Sequence, residues 1–552
     1  MLTVIRVGLP CLLVAVLFPA DSPNPTSGGL LRVALRAEPK TFNPIIAMDA
    51  PSRDVIRRLH ADLITIDRVT QKTVPALAES WKLDGLRYTL KLRRGVRFSD
   101  GAPFTASDVT FSFAVYLDEK VNSPQRDLLI VEGKPIAVRE LDPFTVSVTL
   151  PAPYAAAERL FDSIAMLPKH KLEVAWKAGK LRESWRINTK PSEMVGLGPY
   201  RLREYRPGEV VLIERNPFYW KANHPYLDGI EFRVLADEDL QLARFQSGEL
   251  DLLNRLTPKA VAMLQAQSEV KLADLGPGLE YNFLCFNLTP GNPKIGWFGR
   301  REFREALSLA VDRQSMARLV FQNRATPIWG HVSPGNQLWH SNTIPHPARS
   351  LSSAKAKLSA AGFHWTSSGA LLDSEQKPVG FSILVSSSSA ERQKMAAILQ
   401  DDFKQLGIAV TVATLEFRTL LDRVLKTRQF DTTLLGLGGG DADPNPEMGV
   451  WLSSGSMHLW NPEQKRPATD WESEIDPLMK RQMVTVDYQA RRRIYDRVQE
   501  IVAKEQPMIF LVSPNVVIAS RRRLGGFKPA ILDHQTLWNS DELFVPKESR
   551  RP

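Results

Sequence analysis

The stretch Leu435-Gly436-Leu437-Gly438-Gly439-Gly440 running into Asp441-Ala442-Asp443-Pro444 carries the residue types of this chain best suited to chemistry. Closely spaced glycines leave backbone N–H groups open to a phosphate. A phosphate-binding loop, however, closes on Lys-Ser or Lys-Thr, and neither follows. Any ATP-driven step is therefore expected on a separate chain. Asp441 has two readings at this point, a ligand-binding carboxylate or one that caps a turn or helix. Other reactive constellations are thin. The nine histidines include no HExxH pattern, and His340 with His346 is read as loop. No GxSxG elbow marks a hydrolase serine. Neither metal, cofactor nor catalysis is expected.

The elements around these residues follow from periodicity. Between 78 and 113, Leu86, Tyr88, Leu90 and Leu92 alternate with Arg87, Thr89, Lys91 and Arg93, which predicts a strand with one apolar face. Ser99-Asp100-Gly101-Ala102-Pro103 has the residues of a tight turn. Thr105 with Asp108 three places on predicts a capping box opening a helix through Val109, Phe113 and Leu117. Residues 144–150 alternate again, as a strand beside the Tyr88 strand. Phe303, Ala306, Leu307 and Ala310 fall on one helical face, as do Met395, Ile398, Leu399, Phe403 and Leu406 ahead of Gly407. Strands at 381–385 and 408–412 flank that second helix. A strand-helix-strand rhythm on this scale predicts α/β lobes.

At 552 residues, with 43% hydrophobic and 24% charged residues, the chain exceeds one hydrophobic core and is ordinary globular material. Arg6 followed by an apolar run from 7 to 18 predicts a removable secretory signal, since the run is shorter than the roughly 20 residues of a bilayer span. Pro10 directly before Cys11 argues against a lipid-anchoring cysteine. Loss of the signal leaves only Cys285, read as a buried thiol, so no internal disulfide can form. A formal net charge of +10 comes from 71 Lys plus Arg against 61 Asp plus Glu. No block of five like charges and no interleaved aromatics accompany it, so it is read as a solvated basic surface and nucleic acid as no partner.

As one string, AESWKLDGLRYTLKLRRGVRFSDGAPFTASDVTFSF resembles the signature of the extracellular solute-binding proteins of family 5, the peptide- and nickel-binding components of ABC importers. Gly196-Leu197-Gly198-Pro199-Tyr200 resembles that family's GTGPY step. Asn216-Pro217-Phe218-Tyr219-Trp220 resembles its aromatic turn, and Arg301 to Arg313 its "vRqAlsyAiDR" helix. Such landmarks run in order from about Leu30 to Phe527. The resemblance implies an α/β, periplasmic-binding-protein-like two-lobe fold (type II, cluster C) with an extra β-rich domain inserted in the first lobe. The expected layout is a signal at 1–20, a tether at 21–29 and first-lobe parts at 30–73 and 195–280 around an insertion at 74–194. A second lobe follows at 281–505, with a return to the first at 506–545.

It further implies a periplasmic monomer that captures a peptide, opine, glycoside, nickel chelate or similar small solute for an ABC permease and its ATPase. A secreted hydrolase, or a noncatalytic receptor or chaperone, is the alternative. The loop at Asp441 stands where the family's aspartate-tyrosine-acid-proline loop faces the cleft, so Asp441 is expected to hold a substrate's α-ammonium. Glycines and Ala442 in place of aromatics make room for a bulkier ligand. The implied ligand-binding set is Asp441, Asp443, Gly439, Gly440, Trp329, Trp339, Trp451, Tyr281, Asn282 and Asn43.

Overall fold

The structure is a computed structural model that describes residues 25–438, 441–462, 464–532 and 535–550. The expected signal at 1–20, with Cys11, lies outside the described residues. Thr26 to Gly29, expected as a tether, are instead tied to the first lobe. Gly28 N–H donates to Tyr226 O at 2.7 Å, Gly29 N–H donates to the Asp228 carboxylate at 2.8 Å, and Arg550 donates to Ser27 O at 2.7 Å. Among the described residues no helix is long and apolar enough to cross a membrane.

Two sheets organise the chain into two lobes. The first runs Tyr200–Arg206, Val210–Arg215, Gly229–Val234, Leu30–Leu35, Leu252–Leu253, Val512–Arg521, Val270–Pro277, with Ala325–Pro327 added on Val512–Arg521. Leu30–Leu35 is parallel to both of its neighbours. The second runs Ala409–Leu415, Gly380–Ser386, Thr432–Leu437, Tyr281–Phe286, Met508–Phe510, the first three parallel and the last two antiparallel to their neighbours. Because side chains alternate across a strand, Leu284 and Phe286 enter one apolar cluster while Phe283 and Cys285 enter another on the opposite face. Both faces of this sheet are covered, which is why its central strand is apolar at nearly every position. The helix Arg301–Ala310 buries Phe303, Ala306, Leu307 and Ala310, as its period predicts, and stops where Val311 turns extended.

A third, antiparallel sheet of order Ala78–Asp84, Arg87–Leu92, Thr145–Thr149, Ala137–Asp142 sets Tyr88 opposite Val148. Thr105 and Asp108 form the expected capping box on helix Ala106–Leu117. Tyr88, Leu90 and Leu92 share one apolar cluster with Leu31, Val33 and Ile213, so this sheet has no core separate from the first lobe. At the landmark 196–199 the chain lies against the end of helix Ala50–Leu59. A Cβ on Gly196 would stand 2.0 Å from Leu59 O, and one on Gly198 2.3 Å from Arg58 O, so only glycine fits either place.

Two adjacent crossings join the lobes, at 277–281 and 510–512. Leu511 N–H donates to Asn282 O at 2.9 Å and Gly278 N–H to Pro514 O at 2.9 Å, while Ser333 Oγ donates to Gly278 O at 2.6 Å. The return was expected at 506. It falls later because Met508–Phe510 still pairs with Phe283 to Cys285 in the second sheet.

Candidate ligand cleft

Parallel strands leave the loops after their carboxyl ends to form a binding crevice, and here both lobes present those loops to each other. The first lobe contributes Arg36 after Leu30–Leu35 and Asn254-Arg255 after Leu252–Leu253. The second contributes Ser388 and Ser389 after Gly380–Ser386 and Gly436 to Gly438 at the end of Thr432–Leu437. Between them lies a cavity of about 650 Å³, floored by the crossings through Gly278, Asn282 and Pro514. A neighbouring space of about 590 Å³ and a first-lobe arm of about 300 Å³ both also reach Arg255. That residue stands in the left-handed region at φ 52 and makes no ion pair or side-chain hydrogen bond among the described residues.

On the second-lobe wall Arg392 projects from the first turn of helix Ala390–Lys404, capped by Ser389. Its Nε donates to Asn282 Oδ1 at 3.0 Å and its Nη2 to Glu280 Oε1 at 2.7 Å. A Cβ on Gly436 would stand 2.3 Å from Arg392 Nη2, so the glycine is what lets this polar trio lie across the strand end.

Of the expected ligand residues only Asn282 lines this cavity, and Gly439 and Gly440 lie outside the described residues. Asp441 is held by protein. Arg159, from the short helix Ala157–Leu160, donates through Nε to its Oδ2 at 2.6 Å and through Nη2 to its Oδ1. Arg159 Nη1 also donates to Gln71 O at 3.0 Å. Gln71 in turn donates to Gly335 O at 2.9 Å and accepts from Gln337 N–H at 3.1 Å, and Ala155 N–H donates to Met483 O at 2.8 Å. A second contact between the lobes, away from the crossings, therefore uses the carboxylate expected to take an ammonium.

The remaining expected residues are engaged by contacts inside the protein. Asp443 is 7% exposed and accepts two bonds of 2.8 Å from Arg491, because a buried carboxylate needs a paired cation. Asn43 is fully buried and holds the Leu181 and Ser184 carbonyls. Trp339 packs edge-on to Tyr488 and Tyr495, Trp451 against His331 and Trp460, and Tyr281 against Phe283 and Phe510, all inside the second lobe. Trp329 stacks on His346 at 4.5 Å beneath the Arg313 guanidinium. Arg255, Arg392, Glu280 and Ser389 went unread in the sequence. Their only signal is position, in the loops and the helix turn next to strand ends, and Arg255 carries no motif.

The family described as bacterial extracellular solute-binding proteins, family 5 middle, matches residues 72–458. The glutathione-binding protein GsiB of Salmonella choleraesuis is 28% identical, the alignment covering 90% of this chain and 91% of that protein. The oligopeptide-binding protein AppA of Bacillus subtilis, solved with a nonapeptide, matches at TM-score 0.69 and 26% identity over 95% of this chain and all of that one. The ABC transporter substrate-binding protein CtaP of Listeria monocytogenes shares the fold at TM-score 0.78 and 24% identity, over 95% of this chain and all of its own.

Proposed function

The chain belongs to the bacterial extracellular solute-binding proteins of family 5, and on that premise we propose that it captures a peptide or peptide-like solute between its lobes in the periplasm. It then hands the solute, chemically unaltered, to an inner-membrane ABC permease driven by a separate ATPase. The observation that carries this reading is the cavity of about 650 Å³ walled by strand ends of both lobes and floored by two slender crossings. A solute seated there touches both lobes only when they are shut, and so shifts an open-closed equilibrium by its differential affinity. Peptide and glutathione binding by the relatives AppA and GsiB supports the solute class. A family made of solute-binding proteins displaces the hydrolase alternative.

Asp441, paired with Arg159, is not the amine anchor in this reading. Arg255 offers a cation for an acidic group of the solute, and Asn282 with Arg392 and Glu280 offers polar contacts. A thermal-shift screen over peptides and peptide-like solutes tests the proposal, since a ligand at 100 times its Kd adds roughly 2.7 kcal/mol. A hit bearing a carboxylate is expected to lose affinity about tenfold in Arg255→Ala. Hits that bind the variant and the native chain alike would remove Arg255 from the site.

A further inference from the structure

The first lobe encloses a second, polar cavity of about 150 Å³ between helix Ala50–Leu59, the aromatic turn after Asn216 and the C-terminal segment 537–541. Arg58, His60 and Trp220 line it. Each carries buried polar atoms with no hydrogen-bond partner among the described residues, namely Arg58 Nε, both ring nitrogens of His60, and Trp220 Nε1. Arg58 is 2% exposed and His60 5%. An unmet buried donor costs about 1–3 kcal/mol, and such groups are rare singly in native folds. Three such side chains around one cavity mark the seat of an acceptor.

Charge selects the occupant. Arg68 and Arg57 share Asp162 at 2.7 and 3.5 Å, and Lys221 is matched by Asp541 at 2.7 Å. Arg58 has no ion-pair partner among the described residues, and its Nη1 donates only to the backbone oxygen of Asp54 at 3.0 Å. Burial pushes the Asp62 carboxyl up, against the pull of Arg57 and with the neighbouring Asp162 charge adding to the rise. Burial holds His60 down at about 4, neutral at physiological pH with one N–H to donate. The Asp54 charge favours the Arg58 guanidinium without an ion pair between them; water would satisfy the donors, whereas an oxyanion also meets that guanidinium directly.

We propose that this cavity binds a small oxyanion, a phosphate or carboxylate group, through Arg58, His60 and Trp220. Arg58 also lines the first-lobe arm of the cleft, so the group arrives either as a free ion or as the acid end of a captured solute. The inference does not depend on the cleft reading, because it rests on orphaned donors outside the cavity floored by the crossings.

Calorimetric titration of the full chain with inorganic phosphate, in chloride buffer, tests it. One-site binding is expected, weakened about 3- to 10-fold in Trp220→Phe, the effect of one neutral hydrogen bond. That variant keeps an aromatic ring under the Arg93 guanidinium, 4.7 Å from the native centroid, and removes only the N–H. An unchanged melting temperature without phosphate shows that it folds. Arg58→Gln is expected to abolish binding. No heat from the native chain, or equal affinity in Trp220→Phe, would overturn the proposal, as would a high-resolution structure from phosphate buffer with water alone in the cavity. Repeating the titration with the cleft saturated separates the sources. Loss of phosphate binding identifies the solute's acid group, and persistence identifies a free ion.

Discussion

Asp443 and Glu447 sit four residues apart in the second lobe, and their buried carboxyls have different partners. Asp443 is met by Arg491 with two hydrogen bonds. Removing one partner of such a pair leaves a buried charge, so Asp443→Ala is expected to cost about 3–5 kcal/mol by denaturant unfolding. A loss below about 1 kcal/mol would contradict that account. Glu447 has no ion-pair partner among the described residues. Burial raises its carboxyl to about 7, although Trp451 Nε1 and the Tyr495 hydroxyl donate to it at 2.9 and 3.1 Å. The folded chain thus keeps this proton up to about pH 7, while the unfolded chain releases it near 4.5. Its contribution to stability is complete below about pH 4.5 and is lost as the pH rises through 7. Glu447→Gln is therefore expected to gain about 2 kcal/mol over the native chain at pH 8 and nothing near pH 4.5, read by thermal unfolding across pH. Glu472 works in the other direction. Burial raises it, but bonds from His458, Trp460 and Gln464 outweigh that and hold it at about 2. Its contribution is present above about 4.5 and lost as the pH falls toward 2.

Among the elements, the short helix Ala157–Leu160 has an influence beyond its size, because Arg159 ties it to the loop of the other lobe. A charge-assisted, bidentate pair contributes about 1.5–3 kcal/mol. Arg159→Gln is expected to move the closed-to-open ratio roughly 10- to 100-fold toward open. Interlobe distances from paired spin labels check this, and an unchanged distribution would make the pair incidental to closure. The helices and strands themselves were legible where pattern and environment agree. Tyr88, Leu90 and Leu92 alternate because one side of their strand is covered, and Thr105 with Asp108 announces a cap. The strand Tyr281–Phe286 defeats alternation because both its faces are buried. The family resemblance marked its start as the crossing.

Across the whole molecule, the fold was more legible than the site. Periodicity and ordered landmarks define two lobes, since they record which faces meet the core. Ligand contacts record no such average. Trp339, Trp451 and Tyr281 have the composition of a binding wall, yet each is 3% exposed or less, and aromatic type alone does not separate a wall from a core. Asp441 matched by position, but its partner lies 282 residues away at Arg159, a distance no local pattern spans. Arg255 became visible only when strand ends from both lobes were brought face to face.

Capture by closure is the claim on which the rest depends. Small-angle X-ray scattering of the chain, with and without a saturating solute from the thermal-shift screen, tests it most directly. The solute-bound protein is expected to have a smaller radius of gyration than the free protein. An identical scattering profile at demonstrated saturation would contradict capture between the lobes.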